Sequence, residues 1–358
     1  MHRTSKAVFA AALCSLALPA ASQAATKDVF AGFPGAPPKS MPKDANVAAF
    51  FPGTVKIAAG DSLRLQPTGC PAVTVSKAGD VPSFLSTLEA TPVAGAKDAA
   101  GAAFWFNGQP TAMANPAVFF GAKSPATFTG KLLSSGFPMG PGAPKPFVVK
   151  FPKAGTYTLA CPLFAGMEGT VTVLRKGAEV PSAKADMARA RQAFKKALAR
   201  VRKLDKQAAP AGDVIVAGPD AATGEMLYRF TPAAKTVKVG TPVTLTMSTG
   251  TREIHTFTFA SNLKKLAKKA EGFLGAPAAK GQGPALDPVQ LYRSEPAGTA
   301  LSYDGANHGD GFLNTGILDD DAGSPFPKSD TVTFTKPGTY KFLCLVHPDM
   351  QGKVTVTG

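Results

Sequence analysis

Cys344, His347 and Met350 stand three residues apart, twice over, in the stretch TYKFLCLVHPDMQGKVTV. One thiol, one imidazole and one thioether thus fall within a short loop between two β-patterned runs. A metal that alternates between two states one electron apart needs ligands acceptable to both. Two imidazoles and a thiolate in a plane, with a distant thioether, meet that need for copper. Zinc accepts Cys and His as well, but Met is a poor zinc ligand. The second imidazole must come from elsewhere in the chain. His255 heads the run HTFTF, whose alternation sets His255, Phe257 and Phe259 on one side, the expected core side.

An earlier stretch, TYTLACPLFAGMEGTVTV, has almost the same layout, with Phe164 standing where His347 stands. Gly155, Thr156, Tyr157, Cys161, Met167, Gly169, Val171, Thr172 and Val173 recur as Gly338, Thr339, Tyr340, Cys344, Met350, Gly352, Val354, Thr355 and Val356 at one constant offset. TVKIAAGDSLRL and TVKVGTPVTLTM extend the match upstream. The chain therefore holds two copies of one unit, each large enough for its own core, and is not a solenoid. Runs such as VTLTM, TVTFT and KVTVT alternate with period two and are broken by Gly and Pro. The expectation is an all-β protein: two antiparallel Greek-key β-sandwich domains joined by an α-helical linker.

The expected boundaries are a signal peptide over 1–24, a first domain over 25–176, a basic helical linker over 177–212 and a second domain over 213–358. The leader reading rests on the basic start MHRTSK, the apolar run AVFAAALCSLALPAA and small residues before a cut after Ala24. It makes the mature chain exported: periplasmic, secreted or at the cell surface. Losing Arg3 and Lys6 takes the net charge from +15 to +13. No nucleic-acid-binding motif is present, and the expected location argues against that partner class. In the linker, Met187, Phe194, Leu198, Val201 and Leu204 form an apolar stripe, and eleven Lys and Arg face three acids between Arg175 and Lys206. The stripe would lie on a sandwich. The basic face is either simply solvated or a docking surface for an acidic partner or anionic surface. A second helix is expected in SNLKKLAKKAEGFLG, capped by Ser261, with Leu263, Leu266, Ala270 and Phe273 on one face.

With the ligand motif and the repeat in place, the sequence resembles the cupredoxins, the plastocyanin- and amicyanin-like blue-copper family, over about Asn46–Val173 and Glu225–Thr357. The resemblance implies that His255 and His347 are the imidazole ligands, Cys344 the thiolate and Met350 the weak axial ligand of one copper per chain. It places Thr256 where relatives hydrogen-bond toward the copper loop. It implies an electron carrier whose loop His is exposed in an apolar patch, here Leu345, Val346 and Pro348, where unidentified redox partner proteins dock. The first copy keeps Cys161 and Met167 but has no histidine, Pro71 standing opposite His255. It is expected to bind no copper and to join Cys161 to the neighbouring Cys70 in a disulfide, closing a loop that the chain-entropy model values at ~4–5 kcal/mol at most.

Two other functions compete. A multi-copper oxidoreductase would need further histidines. Only His255, His308 and His347 follow the leader, no His-x-His pair occurs, and Leu343 and Leu345 flank Cys344. The other alternative is a copper-binding or interaction module at the cell surface without electron traffic. His308, in the Gly-rich run GANHGDGFLNTG, reads as a solvent-exposed loop residue, with an auxiliary metal or partner contact as the other option.

Overall fold

The structure is a computed structural model. It describes residues 24–80, 83–138, 144–272, 274–277 and 282–358. The expected leader lies outside the described residues except for Ala24.

Alternation becomes burial in the way the sequence predicts. In Pro242–Met247 the side chains of Val243, Leu245 and Met247 are buried and those between them are not; Leu63 and Leu65 do the same in Ser62–Pro67. Each half of the chain closes such strands into two five-stranded sheets. In the first half one sheet runs Phe50–Phe51, Thr26–Ala31, Ser62–Pro67, Phe147–Lys150, Ala126–Thr127. Its partner runs Leu133–Ser134, Thr74–Lys77, Gly155–Ala160, Glu168–Leu174, Thr54–Ala58. The second half repeats both orders strand for strand. The two sheets are Phe230–Thr231, Val214–Ala217, Pro242–Met247, Ser329–Phe334, Leu301–Tyr303 and Leu313–Asn314, Thr258–Phe259, Gly338–Leu343, Gln351–Thr357, Ala234–Lys238. The protein is therefore mainly β, in two sandwiches of one topology. Local hairpins such as Gly338–Leu343 with Gln351–Thr357 are antiparallel. Pairs reached by crossing from sheet to sheet, such as Val214–Ala217 with Pro242–Met247, are parallel, so each sheet is mixed.

Each sandwich has its own core. In the second, Phe230, Phe257, Phe259, Phe334 and Phe342 are at most 1% exposed and pack with tilted or edge-on rings. Burying each contributes roughly 1.5–3 kcal/mol. These rings form the floor beneath the candidate ligands.

The halves are joined by two strand pairings. Ala45–Val47 runs antiparallel to Glu225–Leu227, with Asn46 opposite Met226. These two segments hold equivalent places in the repeat, each three residues before Phe50 or Phe230. Pro110–Ala114 likewise pairs with Pro284–Leu286 at the centre of a four-stranded sheet to which each half contributes a hairpin. A pseudo-twofold axis thus relates the sandwiches, and like surface meets like surface.

The linker helix spans Ala183–Leu204. The Ser182 hydroxyl accepts from the Ala185 amide, and Arg202 and Lys203 lie in the last turn, where the helix dipole favours cations. It packs on the Ala45–Val47/Glu225–Leu227 ribbon through Ala190, Phe194, Ala197 and Val201, with Phe194 edge-on to Phe33 and Phe51. The buried stripe is therefore centred on alanines, which let the helix approach closely. Met187, Leu198 and Leu204 lie on its margins, half-buried. A buried ion pair fixes its start. Lys27 Nζ lies 2.9 Å from Asp186 Oδ2 and donates to the carbonyls of Lys56 and Pro181. The second helix, Leu263–Ala270, is capped by Asn262 and not by Ser261: the Asn262 side chain reaches the Lys265 amide. Leu266 and Ala270 are buried as expected, while Phe273 lies outside the described residues.

Candidate metal centre

His255 is fixed by its backbone. It exchanges both hydrogen bonds with Leu318 in an isolated antiparallel bridge, three residues before Thr258–Phe259 joins the sheet. Its ring is 1% exposed. Cys344 directly follows the strand Gly338–Leu343, and its amide donates to the carbonyl of Met350 at 3.0 Å. The Met350 amide donates to the carbonyl of His347 at 2.8 Å, folding the loop back over the sulfur. Phe257 and Phe342 lie in the same buried cluster as Cys344 and Met350.

These constraints bring three donors together. His255 Nδ1 is 3.6 Å and His347 Nδ1 3.8 Å from Cys344 Sγ, and the two nitrogens are 3.3 Å apart. Around one metal with sulfur at ~2.3 Å and nitrogens at ~2.0–2.1 Å, tetrahedral-to-trigonal angles give donor separations of about 3.4–3.8 Å. The three atoms therefore already stand at the spacing a single ion requires. Cys344 is the free cysteine among the described residues. Met350 is buried in the same cluster, so a soft sulfur is available beside the set.

The electrostatics favour uncharged donors. Burial pushes the Cys344 thiol up to about 11 and the His347 imidazole down to about 4. Burial, and then proximity to His347, holds His255 well below the usual imidazole range. Both rings thus offer lone pairs at neutral pH, and binding a cation need displace only the thiol proton.

A buried hydrogen-bond chain steadies the sulfur. The Thr256 amide points at Cys344 Sγ at 3.4 Å. The Leu345 amide donates to the Thr256 hydroxyl at 2.8 Å, which passes on through the Thr258 hydroxyl to the Asn314 carboxamide oxygen. The loop contact expected of Thr256 is therefore present. Its extension to Asn314, whose amide nitrogen donates to the carbonyls of Val289, Gln290 and Tyr292, is not foreseeable from local spacing.

One expectation is corrected at the surface of the site. Leu345 does not form an exposed patch. It is 1% exposed, clustered with Phe104 and Phe106, which the first half sends across to cover the Cys344 strand. The His347 side chain remains 21% exposed, but one face of its ring is covered. Tyr228 stacks on its ring, centroids 4.5 Å apart and planes at 14°. The Tyr228 hydroxyl accepts from Asn46 Nδ2 at 2.9 Å, and Glu253 Oε1 lies 3.8 Å from His347 Nε2. The Glu253 carboxyl is buried and held well above the usual range by desolvation and then by Asp220. Sequence reading did not single out Tyr228, Asn46 or Glu253. No local signal marked them: Tyr228 stands at the place of Ala48 in the first copy, among neighbouring positions that also differ, and far from the ligands along the chain.

His308 is a second correction. Its Nδ1 lies 3.0 Å from Asp98 Oδ2 and its Nε2 2.9 Å from Glu295 Oε1. It is a clasp between the halves, not a solvated loop residue, because a left-handed turn (φ 54°) aims its ring at the first half.

The first copy keeps the loop without the donors. The Cys161 amide donates to the Met167 carbonyl and the Met167 amide to the Phe164 carbonyl, repeating the fold-back of the second copy. Phe164 fills the histidine position, 5% exposed, and Cys161 is joined to Cys70. This loop docks on the segment leading to His255: the Ala165 amide donates to the Arg252 carbonyl, and the Arg252 guanidinium to the Gly166 carbonyl. Among the described residues, His255, Cys344 and His347 are the group of three or more His, Cys, Asp or Glu residues close enough to share an ion.

No family model matches the chain, and no curated protein does. Among solved structures it is similar to oxidized plastocyanin from Dryopteris crassirhizoma, at 18% identity over 40% of this chain and 99% of that one, with a TM-score of 0.21. It is also similar to dithionite-reduced auracyanin from Roseiflexus castenholzii, at 20% identity over 42% and 100%, with a TM-score of 0.23. A purple cupredoxin from Nitrosopumilus maritimus shows 21% identity over 41% and 100%, with a TM-score of 0.19.

Proposed function

We propose that the chain is an exported type 1 copper protein that carries single electrons through one mononuclear site in its second sandwich. The observation that carries this reading is the convergence of one thiol and two imidazole nitrogens, all within 4.8 Å of one another, beside a buried thioether. His255, Cys344 and His347 would hold the ion and Met350 would sit at its weak axial position. Such a copper supplies reversible one-electron chemistry with little change of geometry. The protein's own part is to hold the donors still, through the Leu318 bridge, the loop fold-back and the Thr256–Thr258–Asn314 chain, and to exclude water with the aromatic floor. This reading assigns electron transfer and no enzymatic turnover. The electron donor and acceptor are redox proteins outside the chain.

Titration with Cu(II), followed by visible absorption, tests the assignment. Intense blue absorption saturating at one copper per chain is expected, and Cys344→Ser should abolish it. A copper-saturated native sample that stays colourless overturns it. The cover over His347 favours a second reading, in which the protein holds copper without passing electrons. Reversible one-electron voltammetry of the copper form distinguishes the two, since a holding protein gives no reversible wave.

A further inference from the structure

The linker helix carries more charge than its packing uses. Arg189 pairs with Asp186 and Arg200 with Glu225, while Arg202 donates to Ser40. Lys184, Arg191, Lys195, Lys196, Lys203 and Lys206 are exposed and have no carboxylate partner among the described residues. At 100° per residue, Lys184, Arg191, Lys195, Arg202 and Lys206 share an arc of roughly 60°, with Lys196 and Lys203 beside it. Together the seven span roughly 140°, and the middle of that span lies roughly opposite the buried Ala190, Phe194, Ala197 and Val201. Among the described residues the acids of the helix and its end do not offset it: Asp186 is turned inward and Asp205 is engaged by Arg229. Like charges at i and i+4, as in Arg191/Lys195, weaken a helix. A face that only needed solvation would mix signs. Over 22 residues the row is about 33 Å long.

We infer that this face is a docking surface for an anionic lipid bilayer, on which the protein lies with the helix along the headgroups. The chemistry of the face selects this occupant over an acidic protein. Protein interfaces are centred on apolar and aromatic anchors and are depleted in Lys. Here the helix's apolar side is already committed to the ribbon beneath it. The exposed large hydrophobics among the described residues are Phe120 and Val239, neither on the helix. What remains is an extended, unpatterned row of cations, which matches a continuous sheet of anionic headgroups and would not insert into it. The inference is independent of copper.

Co-sedimentation of the full mature chain with vesicles tests it. Binding is expected to phosphatidylcholine vesicles containing about one-third phosphatidylglycerol and not to phosphatidylcholine alone, falling at least tenfold as salt rises from ~20 to ~200 mM. R191Q/K195Q/K196Q/K203Q, which keeps good helix formers, should lower partitioning at least tenfold with an unchanged far-UV spectrum. K123Q/K131Q/K150Q/K153Q, with the same change in net charge, should bind like the native chain. Equal binding by the helix variant, or equal loss in both variants, overturns the inference. So does a native chain that ignores the anionic vesicles, and retention on polyglutamate in that case would assign the face to acidic proteins.

Discussion

Replacing Tyr228 tests whether the second half works as a site on its own or through its contact with the first half. The ring lies nearly parallel to His347 at 4.5 Å, and its hydroxyl is held by Asn46. A copper-bound imidazole is more electron-poor over Cu(II) than over Cu(I), so an electron-rich phenol face stabilises the oxidised state more. Aromatic pairs contribute ~0.5–1.5 kcal/mol beyond area burial, and about 59 mV corresponds to a tenfold change for one electron, so with copper at the proposed site the stack would hold the potential down by at most roughly 20–60 mV, the limit in which all of that energy favours the oxidised state. Tyr228→Leu should therefore raise the potential by up to that amount, with the blue absorption retained. Tyr228→Phe, which keeps the stack and loses only the Asn46 bond, should shift it by less than about 20 mV. Voltammetry of the copper-loaded variants reads both. A Tyr228→Leu potential equal to that of the native protein, or a fall in place of a rise, refutes the reasoning.

Three further predictions follow from contacts already described. Denatured and metal-stripped, the chain lacking residues 1–24 should show one thiol by reagent titration, Cys344; three would mean that Cys70 and Cys161 are not joined. Asp186→Asn leaves the Lys27 ammonium buried beside a neutral amide and should cost about 3–5 kcal/mol in urea denaturation, whereas an exposed ion pair would cost under ~1. The His308 ring hydrogen-bonds the Asp98 carboxyl and holds it below the usual carboxylate range. A carboxyl lowered on folding contributes stability above its unfolded value and loses it as pH falls through the folded one. Asp98→Asn should therefore flatten the acid limb of the urea midpoint below about pH 5 and leave its shape above that unchanged.

Much of the site was legible because its information is local. Cys344, His347 and Met350 share one loop, and the period-two runs around them name the sandwich. Phe164 against His347 shows from type alone which copy keeps the imidazole. The cover over the site was not legible, because it is made by residues far apart in the chain. Tyr228 meets Asn46 across 182 positions and His308 meets Asp98 across 210. Leu345 looked exposable beside a ligand, and only the crossing of Phe104 and Phe106 buries it. The helix stripe was displaced for a related reason. Large apolar residues mark periodicity, but the ribbon's closeness selects alanines at the contact.

The ribbon of Ala45–Val47 and Glu225–Leu227 also has a consequence for dissection. Each of its strands is the other's counterpart, so each edge is already shaped to receive a strand like itself. Cut free of the first sandwich, the second would expose Glu225–Leu227 and Pro284–Leu286 as open edges suited to self-recognition. Two such fragments would associate through them, rebuilding by assembly the symmetry that the intact chain holds by covalent linkage, but with methionine in place of Asn46 beside each Tyr228.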